Sequence, residues 1–217
     1  MKTDLIISMH RTGHHAVAIW LLHQKQGITN FSITTISSWL FALGDDQELF
    51  LYANNPFKTG PNEHPDKQKL PRIINDVKPE GLIVSHEQDT IKGSLEKAGQ
   101  SPYLFNKPIV VIRDFRNWVA SCLKMALRDN KIIETIINND TVAEYRNHLI
   151  NYSKFDCHYI LFNNWATNKD YREAICDDLG YMFTDVAKNQ LSIFGGGISF
   201  DGMQHLKTAS QMDVNNR

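Results

Sequence analysis

Short apolar runs alternate along this chain with stretches that have helical periodicity. The runs at residues 4–9, 81–86, 107–113 and 157–163 are too short for helices and rich in Ile, Val and Leu, which indicates buried strands. Alternating strands and helices predict an α/β fold of three layers, a mainly parallel central sheet with helices on both faces. The predicted helices cover residues 16–26, 88–100, 117–129, 132–155 (as one helix or two) and 169–180, the last ending at Gly180.

Residues 28–80 show no clear period. Within them, residues 36–43 (ISSWLFAL) predict a short helix, and the proline-rich residues 54–71 predict an exposed loop. The segment contains no recognisable motif. We interpret it as a candidate insertion within a single domain that spans residues 1–217.

Composition and charge narrow the class of protein. The chain has 217 residues, enough for one sizeable core. Its net charge is −1, so it has no overall positive charge that would attract nucleic acid or an anionic membrane. No apolar run approaches the roughly 18 residues of a membrane helix, and the start of the chain has no signal-peptide pattern. The three cysteines form no C-x-x-C pair, which favours free thiols in a reducing compartment. We expect a cytoplasmic protein with no membrane segment; its oligomeric state stays open.

A polar loop, HRTGHH at residues 10–15, joins the first predicted strand to the first predicted helix. Gly13 would let the backbone approach an oxyanion closely, and Arg11 supplies a permanent charge with a planar fork of donors. A hydroxyl and imidazoles add donors near the positive end of the helix. The loop therefore predicts a P-loop-like phosphate site, although a capped turn with a surface arginine would show the same pattern. It lacks G-x-x-x-x-G-K-[ST], which argues against ATP or GTP hydrolysis.

A second candidate site follows the strand predicted at residues 107–113. Arg113 ends that strand, and Ser121 lies eight residues later on the next predicted helix. A strand end followed by a helix can bring an arginine and a serine onto one phosphate. The same residues would also fit a surface pair of Arg113 with Asp114 and a serine bonded within its own helix.

The two segments together resemble the sulfotransferases that use 3′-phosphoadenosine 5′-phosphosulfate (PAPS). That family has a loop P-[KR]-[ST]-G-T-T after its first strand, and a later strand that ends in Arg with Ser eight residues on. VVIRDFRNWVAS, residues 110–121, matches the second motif, and the order and spacing of the motifs agree. In the loop, Arg11, Thr12 and Gly13 match, while His10 replaces the proline and His14 and His15 replace the two threonines.

The resemblance implies PAPS as co-substrate, with its 5′-phosphosulfate at residues 10–15 and its 3′-phosphate at Arg113 and Ser121. LIVSH resembles the family strand whose histidine is the catalytic base, which would be His86 here; Glu87 is the rival, because many members use a glutamate there. The acceptor would be a small molecule or glycan with a hydroxyl or amine, bound by residues 28–80. Trp39, Phe41, Phe50 and Tyr52 are aromatic candidates for its walls, although such residues more often belong to the core.

Departures from the family keep two other interpretations open. Val84 stands where the family has a lysine, and the C-terminal R-K-G-x-x-G-x-W loop is absent, with only GGGISFDG resembling a shorter form. A non-catalytic relative of the sulfotransferases and a nucleotide-binding, kinase-like P-loop protein are therefore alternatives. We expect no metal, since no Cys or carboxylate set completes a zinc site with the histidines of the loop.

Overall fold

A computed structural model of the chain describes residues 2–26, 39–44, 49–52, 81–87, 90–99, 105–185 and 188. Its strands form one six-stranded sheet with the order β3-β2-β4-β1-β5-β6. Only β3 runs antiparallel to its neighbour β2; the other neighbouring pairs are parallel. The strands are β1 Lys2–Ser8, β2 Trp39–Gly44, β3 Leu49–Tyr52, β4 Gly81–Glu87, β5 Ile109–Ile112 and β6 His158–Leu161.

Helices lie between β1 and β2, between β4 and β5, and between β5 and β6 in the chain, as parallel strands require, because one strand ends at the side of the sheet opposite to where the next begins. The described helices are α1 His14–Gln26, α2 Ile91–Gly99, α3 Phe115–Arg128, α4 Asn139–Ile150, α5 Phe162–Thr167 and α6 Lys169–Leu179. A 3-10 turn, Ile133–Thr135, precedes α4. The helix predicted over residues 132–155 is thus this turn and α4, separated by an asparagine at 138 that caps α4 in a capping box.

Helices cover both faces of the sheet because strand residues alternate in direction. Ile6 of β1 belongs to a buried cluster with residues of α1, α5 and α6. Its neighbours Leu5 and Ile7 pack on the other face with Ile91 of α2. Burying each such aliphatic side chain contributes about 1.5–3 kcal/mol, so the two clusters fix the sheet between its helices. The predicted α/β class is confirmed.

The helix predicted at residues 36–43 is wrong. Residues 39–44 form β2, which pairs in parallel with β4 from Trp39 beside Gly81 to Gly44 beside His86. A short apolar run fits a buried strand as well as a helix, and here pairing with a long central strand decides between them. The strands β2 and β3 extend the sheet from within residues 28–80, and the remainder of that predicted insertion lies outside the described residues.

Among the described residues, no helix is both long and apolar enough to span a bilayer.

Candidate functional site

The two predicted motifs meet at the carboxyl-end edge of the sheet. Ser8 ends β1 and lies in register with Glu87 of β4 on one side and Val111 of β5 on the other. The chain leaves β1 through residues 9–13, which we call the first loop, and leaves β5 through residues 113–114. Both turns therefore emerge beside each other, at the edge where open α/β sheets bind ligands.

The first loop turns sharply at two positions. Arg11 has a φ of 68° and Gly13 a φ of 88°, both in the left-handed region. Glycine adopts this region readily, whereas Arg11 is strained by about 1–2 kcal/mol there. A Cβ atom added at Gly13 would lie 2.3 Å from Cε2 of Phe162, the first residue of α5. Because α5 packs directly on the loop, only glycine fits at position 13.

Three side chains hold consecutive carbonyl groups of the first loop. Thr12 Oγ1 donates to the carbonyl of Met9 at 2.9 Å. The indole Nε1 of Trp118 donates to the carbonyl of His10 at 2.9 Å, and Nη1 of Arg113 donates to that of Arg11 at 3.2 Å. Because C=O and N–H point in opposite directions across a trans peptide, fixing these carbonyls also fixes where the loop's amides point. Both α3 and the end of β5 thus shape the loop and offset the strain at Arg11.

The second motif is buried against the first. Arg113 is only 7% exposed and lies over the ring of Phe162, with 5.1 Å from its guanidinium carbon to the ring centroid. Its own carbonyl accepts a hydrogen bond from the hydroxyl of Tyr145. Ser121 is 2% exposed and accepts a hydrogen bond at 3.4 Å from Nε of Arg11, 110 residues away in sequence. Arg11, Arg113 and Ser121 therefore form one contiguous group.

The Asp114 carboxylate has a structural role at the same turn. Its Oδ1 accepts a hydrogen bond from the backbone N–H of Asn117 at 3.2 Å, which caps the start of α3. The backbone N–H of Asp114 donates to Oδ1 of Asn163 at 3.0 Å. These contacts tie α3 and α5 to the strand end that carries Arg113.

The histidine cluster, which comprises His10, His14 and His15, surrounds the start of α1. His14 is buried at 2% exposure and His15 is half-buried, both in the first turn of the helix rather than in the loop; their rings meet edge to face at 4.1 Å between centroids. The pKa of His10 is lowered to about 4, mainly by burial and then by the charges of Arg11 and Lys131. Burial, followed by His10 and Arg11, likewise lowers the pKa of His15 to about 4.

His14 shows the same effect most strongly. Burial first, and then the neighbouring His15, His10 and Arg11, holds the pKa of His14 well below its ordinary value. All three imidazoles are therefore neutral at pH 7. The permanent positive charge at the site comes from arginine. The first turn of α1 carries no acidic residue, whereas at α3 the N-cap carboxylate of Asp114 offsets the positive helix end.

Two buried polar atoms at this edge have no hydrogen-bond partner among the described residues. They are the hydroxyl of Ser8, at the end of β1, and Oδ1 of Asn117, in the first turn of α3. Buried polar groups are normally bonded, and one left without a partner is a place to look for a bound water or ligand. Both residues flank the turns that hold the arginines.

His86 and Glu87 lie at the end of β4, the strand beside β1. In the parallel register, His86 lies beside Ile7 and Glu87 beside Ser8. Both positions are therefore at the edge that carries the first loop. Their side chains, like those of the aromatic residues of β2 and β3, lie outside the described part of the chain.

Sequence reasoning missed the residues that hold the site together. Trp118 and Phe162 contact the loop directly, and Tyr145 and Asn163 anchor the turn after β5. One signal was available for Trp118, since a buried indole N–H needs an acceptor and this tryptophan lies within the second motif.

No protein-family model matches this chain, and no curated protein matches it either. Among the described residues, no group of three or more His, Cys, Asp or Glu side chains is placed to hold a metal ion.

Replacing Gly13 by alanine should lower the free energy of unfolding by about 2–4 kcal/mol. Alanine at positive φ is strained, and its Cβ would overlap the buried ring of Phe162 at 2.3 Å. Gly99→Ala is the matched control, because nothing lies within 4 Å of a Cβ at the end of α2. Urea unfolding of both variants measures the difference, and a Gly13→Ala protein as stable as the wild type would contradict the close packing of α5 on the loop.

Proposed function

We propose that this chain binds PAPS and transfers its sulfuryl group to an acceptor hydroxyl or amine. The observation that carries the proposal is the meeting of the two motifs, in which Arg11 of the loop contacts Ser121 and Arg113 contacts the loop backbone. The two motifs lie about 100 residues apart in sequence, and the fold brings them to one place. A nucleotide with phosphates at both its 5′ and 3′ positions needs two anion-binding groups.

The first loop and the start of α1 suit the 5′-phosphosulfate. The N-terminal turn of a helix presents backbone N–H groups and a partial positive charge, which favour a bound oxyanion. Arg11 adds a full charge that would offset the charge growing on the leaving phosphate. The left-handed turns at Arg11 and Gly13 are of the kind that gather amides into an anion-binding concavity.

Arg113 and Ser121 suit the 3′-phosphate, the group that distinguishes PAPS from ATP. A guanidinium carries five N–H donors, so one arginine can hold a backbone carbonyl and a phosphate at the same time. Burial of Arg113 leaves its charge poorly screened by water, which strengthens its attraction for an anion.

The transfer itself needs a base near the acceptor. We assign this role to His86 or Glu87, which end the strand beside the loop. The base takes the proton from the acceptor as the acceptor's oxygen or nitrogen bonds to sulfur, and the bond from sulfur to the bridging oxygen of the 5′-phosphate breaks in line. The products are the sulfated acceptor and 3′-phosphoadenosine 5′-phosphate. The acceptor is a small molecule or a glycan.

Ligand-dependent thermal stability tests this proposal against its two alternatives. At about 100 times Kd, 3′-phosphoadenosine 5′-phosphate should stabilise the protein by about 2.7 kcal/mol, a rise in Tm of roughly 5–10 °C. Adenosine 5′-phosphate, which lacks the 3′-phosphate, should give a smaller rise at the same concentration, and ATP with Mg²⁺ should give none.

The other outcomes are equally informative. A rise with ATP and Mg²⁺ but not with the bisphosphate would contradict the proposal and favour a kinase-like protein. No rise with either nucleotide would also contradict it and favour a relative that has lost the site. If the bisphosphate binds but no acceptor class receives label from PAPS, the nucleotide-binding part of the proposal stands and the sulfuryl-transfer part is contradicted.

A further inference from the structure

Two buried aromatic side chains hold the peptide groups that adjoin the two arginines of the site. The indole of Trp118, on α3, donates to the carbonyl of His10, which belongs to the peptide group that joins His10 to Arg11. The hydroxyl of Tyr145, on α4, donates to the carbonyl of Arg113, which belongs to the peptide group that follows this arginine. Since a peptide group is planar, each bond fixes the orientation of the backbone beside one arginine.

The two aromatic rings also lie against each other. The rings of Trp118 and Tyr145 are stacked, with 5.0 Å between their centroids and 27° between their planes. Both side chains are almost fully buried, at 2% and 4% exposure, and they belong to one apolar cluster with Met9 and Cys122. Because protein interiors are close-packed, one ring of such a pair cannot shift far without moving the other. We call these two side chains the aromatic brace, because they join the turn after β1 to the turn after β5.

The protons of the aromatic brace are already used within the protein. An indole has one N–H and a phenol one O–H, and both are donated to backbone carbonyls. Burial, followed by the charge of Asp114, raises the pKa of Tyr145 to about 12, so its hydroxyl stays a donor throughout the neutral range. The pair therefore acts on a bound phosphate through the backbone and the arginines that it positions.

Arg113 links the same two turns a second time. Its Nη1 donates at 3.2 Å to the carbonyl of Arg11, which belongs to the peptide group directly after the one that Trp118 holds. Its own carbonyl is the acceptor for Tyr145. A movement of either aromatic side chain would thus reach the first loop and the end of β5 together.

We propose that Trp118 and Tyr145 are positioning residues shared by the two phosphate subsites, so that the preference for a nucleotide with both a 5′- and a 3′-phosphate depends on the aromatic brace. The inference rests on the proposed function and deepens it, by naming what determines that specificity. A preorganised site loses less free energy on binding than one that its ligand must order. Because one rigid unit orders both turns, loosening it should weaken both phosphate contacts.

Calorimetry with three nucleotides tests the shared role. The dissociation constants of 3′-phosphoadenosine 5′-phosphate, adenosine 5′-phosphate and adenosine 3′-phosphate are measured for the wild type, Trp118→Phe, Tyr145→Phe and the double variant. Each single variant should weaken both monophosphates by about three- to tenfold, although its lost hydrogen bond adjoins only one of the two arginines. The bisphosphate uses both subsites, so its loss should be about 10- to 100-fold, and in the double variant it should be smaller than the product of the two single losses.

Tyr159→Phe is the matched control. The hydroxyl of Tyr159, on β6, also donates to a backbone carbonyl, that of Asn151 at 3.3 Å, at the end of α4. All three dissociation constants of this variant should equal those of the wild type. Thermal unfolding shows whether each variant is folded before binding is measured. Tyr145→Phe removes a single oxygen atom, so its effect on adenosine 5′-phosphate decides the question even if Trp118→Phe does not fold.

The inference and the proposed function fail in different ways. If the wild type binds the bisphosphate but each variant weakens only the monophosphate on its own side, or neither, the shared role is wrong and the nucleotide site stands. A change that only reduced the folded fraction would weaken all three nucleotides by the same factor, and that result would also overturn the inference. So would losses that multiply fully in the double variant. If the wild type binds none of the three nucleotides, the proposed function is wrong and the inference with it.

Discussion

Replacing Arg113 by alanine should weaken binding of 3′-phosphoadenosine 5′-phosphate by about 2–5 kcal/mol, or roughly 30- to 5,000-fold in Kd. Arg113 is 7% exposed, so its charge is largely desolvated and its loss would be felt strongly by a phosphate beside it. The same change removes the hydrogen bond from Nη1 to the carbonyl of Arg11. The loop that holds the other end of the nucleotide would therefore be loosened as well.

Arg11→Ala should have a similar effect through the 5′ end of the nucleotide. Its Nε contact with Ser121 means that the two arginines act within one group, so their effects should not add. Measuring both single variants and the double variant by calorimetry would show a double-variant loss smaller than the sum. Separate, fully additive losses would argue against a shared site.

Two controls separate charge from structure in this experiment. Arg146→Ala removes an exposed arginine of α4 and should leave affinity unchanged. Arg113→Lys keeps the charge but loses the planar fork, so affinity should fall to an intermediate value. Thermal unfolding confirms that each variant is folded before binding is measured. Wild-type affinity in both Arg11→Ala and Arg113→Ala would remove the basis of the nucleotide assignment.

The sequence predicts β1, β4, β5 and β6 well, and it does not predict β2 and β3 on one side of the sheet. The runs that became β1 and β5 are buried on both faces, and such strands appear as continuous apolar stretches. β2 was mistaken for a helix because its pairing with β4 is a long-range contact that periodicity does not report. The sequence does not predict β3, which lies within residues 28–80, where no clear period marks an element.

The candidate site divides in the same way. Arg11 follows one apolar run and Arg113 ends another, and the rule that parallel strands end at one edge places both at the same end of the sheet. The structure adds that β1 and β5 are neighbours, which brings the two arginines together. The partners that fix them are contacts between elements far apart in sequence, such as Trp118 with the carbonyl of His10 and Phe162 against Gly13. Only the packing of α3 and α5 reveals these. The neutral state of the histidine cluster also depends on burial, which no spacing pattern measures.

Removing the proposed base at the end of β4 should lower kcat by about 10²–10⁴-fold, with little change in affinity for the nucleotide. His86 and Glu87 occupy adjacent register positions on β4, beside Ile7 and Ser8. We expect one of the two to act as the base, so only one of the two replacements should be severe.

His86→Gln and Glu87→Gln, assayed side by side with labelled PAPS, identify the base, and each variant serves as the control for the other. The pH dependence of kcat gives an independent answer. The rate with an imidazole base should begin to fall at a higher pH than the rate with a carboxylate base, because the ordinary pKa of imidazole lies above that of a carboxyl group. If His86→Gln is the severe variant, the wild-type kcat should fall at the higher pH expected of an imidazole base. If Glu87→Gln is the severe variant, kcat should fall at the lower pH expected of a carboxylate base. Wild-type kcat in both variants would contradict a base at the end of β4, and the acceptor's proton would then have to leave by another group at the same edge of the sheet.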